Sequence, residues 1–243
     1  MEFQTISSVD NASAAPIETQ PEHLADGRAL PFAIKEVKGP FLKRCLDIVL
    51  SGIMFVLSLP VSVPIALAIK LEDGGPIFYR QERWGRGGTR FTAYKFRTMS
   101  SDSDEEFGII PAEEDDVRTT KVGRVLRVSG LDELPQIINI FLGHMSFVGP
   151  RSLAVGEKVQ DGKGQSLSYE DVPGFRERLQ VRPGLTGIAT IYIPKDVPPR
   201  KKFRYDLLYI RKQSFWLDLR LIFLSFWISF RGKWETRGNK LRN

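Results

Sequence analysis

Two acids stand side by side in SGLDELPQIINIF, residues 129–141: Asp132 and Glu133, followed by Pro135 and an apolar run at helical spacing. Proline is tolerated in the first turn of a helix, so a helix must begin close to the acids. Asp132 is its natural N-cap, and Ser129 caps a slightly longer register. Either register places both carboxylates at the positive end of the helix dipole, which favours the ionised form and also welcomes phosphate. Such a pair suits two tasks. One acid attacks an electrophilic phosphorus while its neighbour helps hold a divalent cation that neutralises the phosphate oxygens. From this stretch alone a plain capping arrangement competes, because acids are common in first turns. Arg127 before the pair and Arg151 after a Gly-Pro turn add cations suited to phosphate.

The surrounding elements suggest where such chemistry takes place. From Ile48 to Ile69 the chain carries no charge, long enough as a helix to cross the hydrocarbon core of a bilayer. Lys43 and Arg44 precede this stretch, and Lys70, Arg80, Arg83 and Arg86 follow it, so both ends claim the cytoplasmic face. Pro60 and Pro64 each remove a backbone donor, and Ser58 can satisfy freed carbonyls; a broken, re-entrant helix accommodates all of this. A spanning helix and a buried core helix are the competing readings. Residues 76–99 read as a hairpin around Gly85, Gly87 and Gly88. Its Arg80, Arg83, Arg86, Arg90, Lys95 and Arg97 form either a phosphate-binding face or solvated edge charges. The loop 181–190 contains Gly184 and Gly187, which permit amides to approach a ligand. Trp216, Leu219, Phe223, Phe226, Trp227 and Phe230 recur at helical spacing among basic residues, as in a helix lying in lipid headgroups; burial against the domain competes.

The whole chain sets outer limits. Its 243 residues suit one domain with appendages, and its net charge of +6 with pI near 9.4 favours an anionic partner. Cys45 is the single cysteine and His23 and His144 the only histidines, which excludes a disulfide framework and a cysteine-built zinc site. Residues up to about Pro40 lack apolar periodicity and read as a disordered extension without a secretory signal. A nucleic-acid-binding role has only the basic pI behind it, since no recognition helix is visible, and none is expected.

Read together, KRCLD (43–47), the proline-broken apolar segment, GGPIFYRQERWG, YKFRTM, LRVSGLDELPQ, MSFVGPR, RPGLTG and the RYDLLYI…SFWLDL tail resemble the bacterial sugar transferases. These are also called monotopic phosphoglycosyl transferases or polyprenyl-phosphate hexose-1-phosphate transferases. The resemblance implies that Asp132 is the nucleophile attacking the β-phosphorus of a UDP-hexose, expelling UMP and forming a covalent phosphosugar enzyme. Undecaprenyl phosphate then takes the phosphosugar. It implies Mg2+ at Asp132 and Glu133, with Glu133 alternatively handling protons, and phosphate contacts at Arg127 and Arg151. Lys95 and Arg97 are further candidates for the same pocket. It implies a membrane helix broken at Pro60, beside Ser58, and an active site on the cytoplasmic face of the bacterial inner membrane.

The departures from the family pattern are His144 in place of an acid, Gly130 in place of a serine, Ser152 in place of a proline, and Ile188 and Thr190 in place of tryptophan and glutamine. His144 reads as a hydrogen-bonding loop residue rather than a metal ligand. The expected fold is α+β and mainly helical, with a proline-broken re-entrant membrane helix, a small β-hairpin and interfacial amphipathic helices. The expected organisation is an extension over 1–40, a re-entrant helix over 41–72, a catalytic domain over 73–236 and a tail over 237–243. Membrane lipids are expected partners, and a homo-oligomer is compatible with the sequence. The rival role is a catalytically silent membrane adaptor of a polysaccharide assembly complex.

Overall fold

The computed structural model describes residues 40–100, 116–160, 166–194 and 197–231, all within one compact unit spanning Ile34–Asn243. The expected N-terminal extension before Pro40, most of the acidic loop and the C-terminal tail lie outside the described residues.

Helix α1, Phe41–Asp73, runs 33 residues, about 50 Å at the α-helical rise. Its apolar residues need lipid or another apolar partner, because Val56, Leu57, Val63 and Leu67 are each more than half exposed. Among the described residues it is the one helix long and apolar enough to cross a membrane. The expected break at Ser58 and Pro60 is not an interruption of the helix, which continues through Pro60 and Pro64 to Gly74. Each proline removes only one rung of the hydrogen-bond ladder. Ser58 Oγ donates to the Phe55 carbonyl over 2.9 Å.

Both ends of α1 are tied to the same unit. Near its start, Lys43 Nζ donates to Asp218 (2.8 Å), Tyr209 (3.0 Å) and the Val148 carbonyl (2.8 Å). Asp47 Oδ1 accepts from Ser146 Oγ and the Phe147 amide, both at 3.0 Å. Near its end, Asp73 pairs with Arg97, and Glu72 accepts from the amides of Lys121 and Val122.

Strands β1 (Phe78–Trp84) and β2 (Arg90–Phe96) form the expected antiparallel hairpin, with Phe78 opposite Phe96 and Trp84 opposite Arg90. Two short helices follow, α2 (Lys121–Ser129) and α3 (Gln136–Leu142). Strand β3 (Ser146–Val148) pairs in parallel with β6 (Gly184–Thr186). Between them lie a second hairpin, β4 (Lys158–Gln160) with β5 (Ser166–Ser168), and α4 (Phe175–Arg178). Helices α5 (Ile188–Tyr192), α6 (Pro199–Lys212) and α7 (Phe215–Phe230) complete the described chain. The architecture is therefore mainly helical with small sheets.

One core gathers Phe91, Ile140, Met145, Phe147, Ile191, Tyr209, Leu221 and Ile228, and Leu46, Leu50 and Met54 of α1 pack on it. A smaller cluster of Ile69, Phe96 and Leu126 seats the far end of α1 beneath α2. Helix α7 is apolar on two sides: Leu221, Ile222 and Ile228 are buried, while Trp216, Phe223 and Phe230 are exposed.

Candidate active site

The acids do not open a helix directly. Ser129 is the last residue of α2, its hydroxyl donating back to the Val125 and Leu126 carbonyls, so it caps nothing ahead. Gly130 then turns the chain at φ 73°, a left-handed conformation that glycine adopts without steric cost. Leu131–Glu133 form a single 3-10 turn, Pro135 takes the cap position, and α3 starts at Gln136. The tight turn buries Asp132, whose side chain makes no capping hydrogen bond.

Helix α3 is clamped at its middle and far end. Asn139 mimics a strand partner: its Nδ2 donates to the Thr92 carbonyl (2.8 Å) and its Oδ1 accepts from the Tyr94 amide (3.3 Å). This stitch sets β2 against α3 and brings Lys95 to the acids. Lys95 Nζ lies 2.6 Å from Glu133 Oε1 and 3.6 Å from Asp132 Oδ2. At the other end, Arg44 of α1 donates to the carbonyls of Ile140 (2.7 Å) and Phe141 (2.8 Å), satisfying groups that a helix end leaves open.

Arg151 approaches from the loop after β3, its Nη2 3.4 Å from Glu133 Oε1. Three glycines hold that loop in place. A Cβ on Gly149, Gly184 or Gly187 would collide with backbone of the facing loop, so the glycines of residues 181–190 serve close backbone packing rather than presenting amides to a ligand. Arg178 supports Arg151 from behind: it donates to the Arg151 carbonyl and to Asp206, each over 2.7 Å. Arg178 and Asp206 are both buried.

These groups line a cavity of about 1050 Å³. Asp132, Glu133, Lys95, Arg127 and Arg151 all line it, and so do the apolar side chains of Met54, Phe147, Ile222 and Phe226. Arg127 donates to Thr119 Oγ1 over 3.0 Å. Arg97 also lines the cavity, with its guanidinium bonded to Asp73 and the Pro76 carbonyl. The hairpin cations do not share one face: Arg83 is bonded to Ser152 and Gln81, whereas Arg90 lies over the Trp84 ring. Neither Ser58 nor Pro60 reaches the cavity. His144 stacks on Phe91 outside it.

Burial pushes the Asp132 carboxyl above the usual range, opposed by the Lys95 charge and reinforced by Glu133. Burial acts the same way on Glu133, but there Lys95 and Arg151 overcome it and hold the carboxyl well below the usual range. The two neighbouring carboxyls are thus pushed in opposite directions, Asp132 up by burial and Glu133 down by Lys95 and Arg151.

Residues 38–232 match the bacterial sugar transferase family. The chain belongs to that family. Among its relatives, the UDP-glucose:undecaprenyl-phosphate glucose-1-phosphate transferase of Klebsiella pneumoniae is 40% identical over 197 residues, 79% of this chain and 40% of that protein. The protein of the same name from Escherichia coli (strain K12) is 39% identical over 198 residues, 79% of this chain and 41% of that protein. The exopolysaccharide production protein PSS of Rhizobium leguminosarum bv. phaseoli is 38% identical over 187 residues, 75% of this chain and 92% of that protein. This bacterial sugar transferase chain therefore spans about two fifths of the first two relatives and nearly all of the third. Asn139, Arg178 and Asp206 escape sequence reading because their partners lie 27 to 47 residues away along the chain.

Proposed function

We propose that this bacterial sugar transferase moves hexose 1-phosphate from a UDP-hexose to undecaprenyl phosphate, an initiating step of exopolysaccharide or glycoconjugate synthesis. The observation that carries this reading is the cavity itself, which is lined by a desolvated aspartate, a glutamate held by Lys95 and Arg151, and a set of apolar side chains. A donor diphosphate fits the cations and a lipid acceptor fits the apolar side chains.

In the first half-reaction an Asp132 oxygen forms a bond to the β-phosphorus. The bond from that phosphorus to the oxygen bridging the two phosphates breaks, and UMP departs with the electron pair. In the second half-reaction an acceptor phosphate oxygen attacks the same phosphorus and the carboxylate is released. Lys95 and Arg151 stabilise negative charge on the transferring phosphoryl group, and Arg127, which also lines the cavity, contributes. Two adjacent carboxylates fit Mg2+, an ion that takes one or two carboxylates and completes its shell with substrate phosphate and water. Asp132 and Glu133 would hold it, and it would supply neutralisation of phosphate charge.

The proposed setting is the cytoplasmic face of the inner membrane, where α1 enters the lipid and returns. Attachment of both helix ends to one unit supports that topology, as do the cations flanking both ends. The exposed aromatics of α7 suit the headgroup region, with Arg231 against Trp227.

Purified protein with Mg2+, undecaprenyl phosphate and a panel of UDP-sugars tests the reading, with UDP-glucose first because of the relatives' names. UMP release with at least one donor is expected. Silence with every donor, in folded protein, would instead support the adaptor role.

A further inference from the structure

The hairpin β4–β5 and the turn after it bring two polar groups into the cavity that the phosphoryl chemistry does not use. Glu157 and Tyr169 both line it. Among the described residues, the Glu157 carboxylate accepts one hydrogen bond, from the Ala154 amide to Oε2 at 3.3 Å, and makes no ion pair. The Tyr169 hydroxyl has no hydrogen-bond partner among the described residues, although the residue is half-buried. The position of Tyr169 is nonetheless fixed. Its ring stacks on Phe203 at 6.0 Å, and Glu170 beside it accepts from Trp84 Nε1 over 2.9 Å. Arg151 lines the same cavity and feels the charges of both Glu133 and Glu157.

A carboxylate in a cavity that must accept a diphosphate requires a reason. It repels phosphate, so the part of the donor beside it is uncharged. An ionised carboxylate only accepts hydrogen bonds, and a phenol, protonated at neutral pH, can donate. Neighbouring hydroxyls on a sugar ring complement that pair: one donates to Glu157 and the next accepts from Tyr169.

We propose that Glu157 and Tyr169 form a subsite that binds vicinal hydroxyls of the donor's neutral sugar. The inference rests on the transferase reading, and either the hexose or the ribose of the donor can present the diol. Removing a hydrogen-bond partner of a bound hydroxyl leaves a polar group unpaired, which costs roughly tenfold in affinity or more.

The test compares Glu157→Ala, Glu157→Gln and Tyr169→Phe with the unchanged protein, using full-length chain in detergent. UMP release is measured with UDP-hexose, with UDP donors lacking single hexose hydroxyls, and with the 2′-deoxyuridine analogue. Equilibrium donor binding is measured in parallel on the Asp132→Asn protein carrying the same changes. The proposal expects KM and Kd for the intact donor to rise about tenfold with a smaller change in kcat. It expects that penalty to fall below about twofold on the one analogue lacking the recognised hydroxyl. Loss of the penalty on a deoxyhexose donor assigns the hexose, and loss on the deoxyribose analogue assigns the ribose. Folded variants that bind every donor like the unchanged protein, or that lose equally on all donors, would overturn the subsite. If no donor releases UMP, the transferase reading fails, while the binding arm still decides the subsite.

Discussion

The Lys95 ammonium lies 2.6 Å from Glu133 and 3.6 Å from Asp132, so two adjacent acids, one buried and one half-buried, share one cation. It offsets the repulsion of two desolvated carboxylates and lies where charge builds on a transferring phosphoryl group. Lys95→Met is expected to lower UMP release by about 100-fold, and Lys95→Arg by less, because charge persists while the geometry changes. A steady-state assay at fixed protein and saturating Mg2+ checks this, and activity within twofold of the unchanged protein would remove Lys95 from the account.

Asn139 holds β2 against α3 from both sides of its amide. Asn139→Leu leaves the Thr92 carbonyl and Tyr94 amide without that partner, at a cost of about 1–3 kcal/mol. Because the same stitch places Lys95, kcat is expected to fall further than the stability loss explains. Urea unfolding followed beside UMP release separates the two effects.

Lys43 and Asp218 form a nearly buried ion pair, with side chains 12% and 2% exposed. Lys43→Met strands the Asp218 charge and is expected to cost about 3–5 kcal/mol. Adding Asp218→Leu to Lys43→Met should recover part of that loss, because no charge is then left unpaired. Thermal unfolding in detergent reads both variants.

Tyr169 supplies a pH prediction. Burial, then the Glu157 charge, pushes its phenol up to about 12 from an ordinary value of 10.0. Between those values the unfolded chain ionises this tyrosine and the folded protein does not. The stabilising contribution is therefore complete below the ordinary value and is lost as pH rises through the folded one. Tyr169→Phe is expected to flatten the alkaline loss of stability over that window, measured as melting temperature against pH. In ultraviolet titration, the folded protein should show one late-ionising phenol that the variant lacks.

Much of the site is legible in the sequence for local reasons. The acid pair, the hairpin around Gly85 and the apolar run after Ile48 each carry their signal within a few residues, and the structure places Lys95 and Arg151 at Glu133. The start of α3 is misplaced because Asp132 and Glu133 look like first-turn acids. The left-handed Gly130 ends one helix, and a 3-10 turn intervenes before Pro135. Gly184 and Gly187 read as ligand-facing because a glycine's signal is the same whether its neighbour is a ligand or another backbone. The role of KRCLD emerges only in three dimensions. Arg44 closes α3 and Lys43 and Asp47 hold β3, so the first turns of α1 set the elements that carry the acids and Arg151.

The central claim is that the Asp132 oxygen bonds to phosphorus during turnover. Intact-protein and peptide mass spectrometry of protein treated with Mg2+ and UDP-hexose, with acceptor withheld, tests it most directly. The account predicts a hexose phosphate adduct on the peptide carrying Asp132, absent in Asp132→Asn and discharged when undecaprenyl phosphate is added. Protein that turns over donor and acceptor together yet never carries the adduct would contradict it.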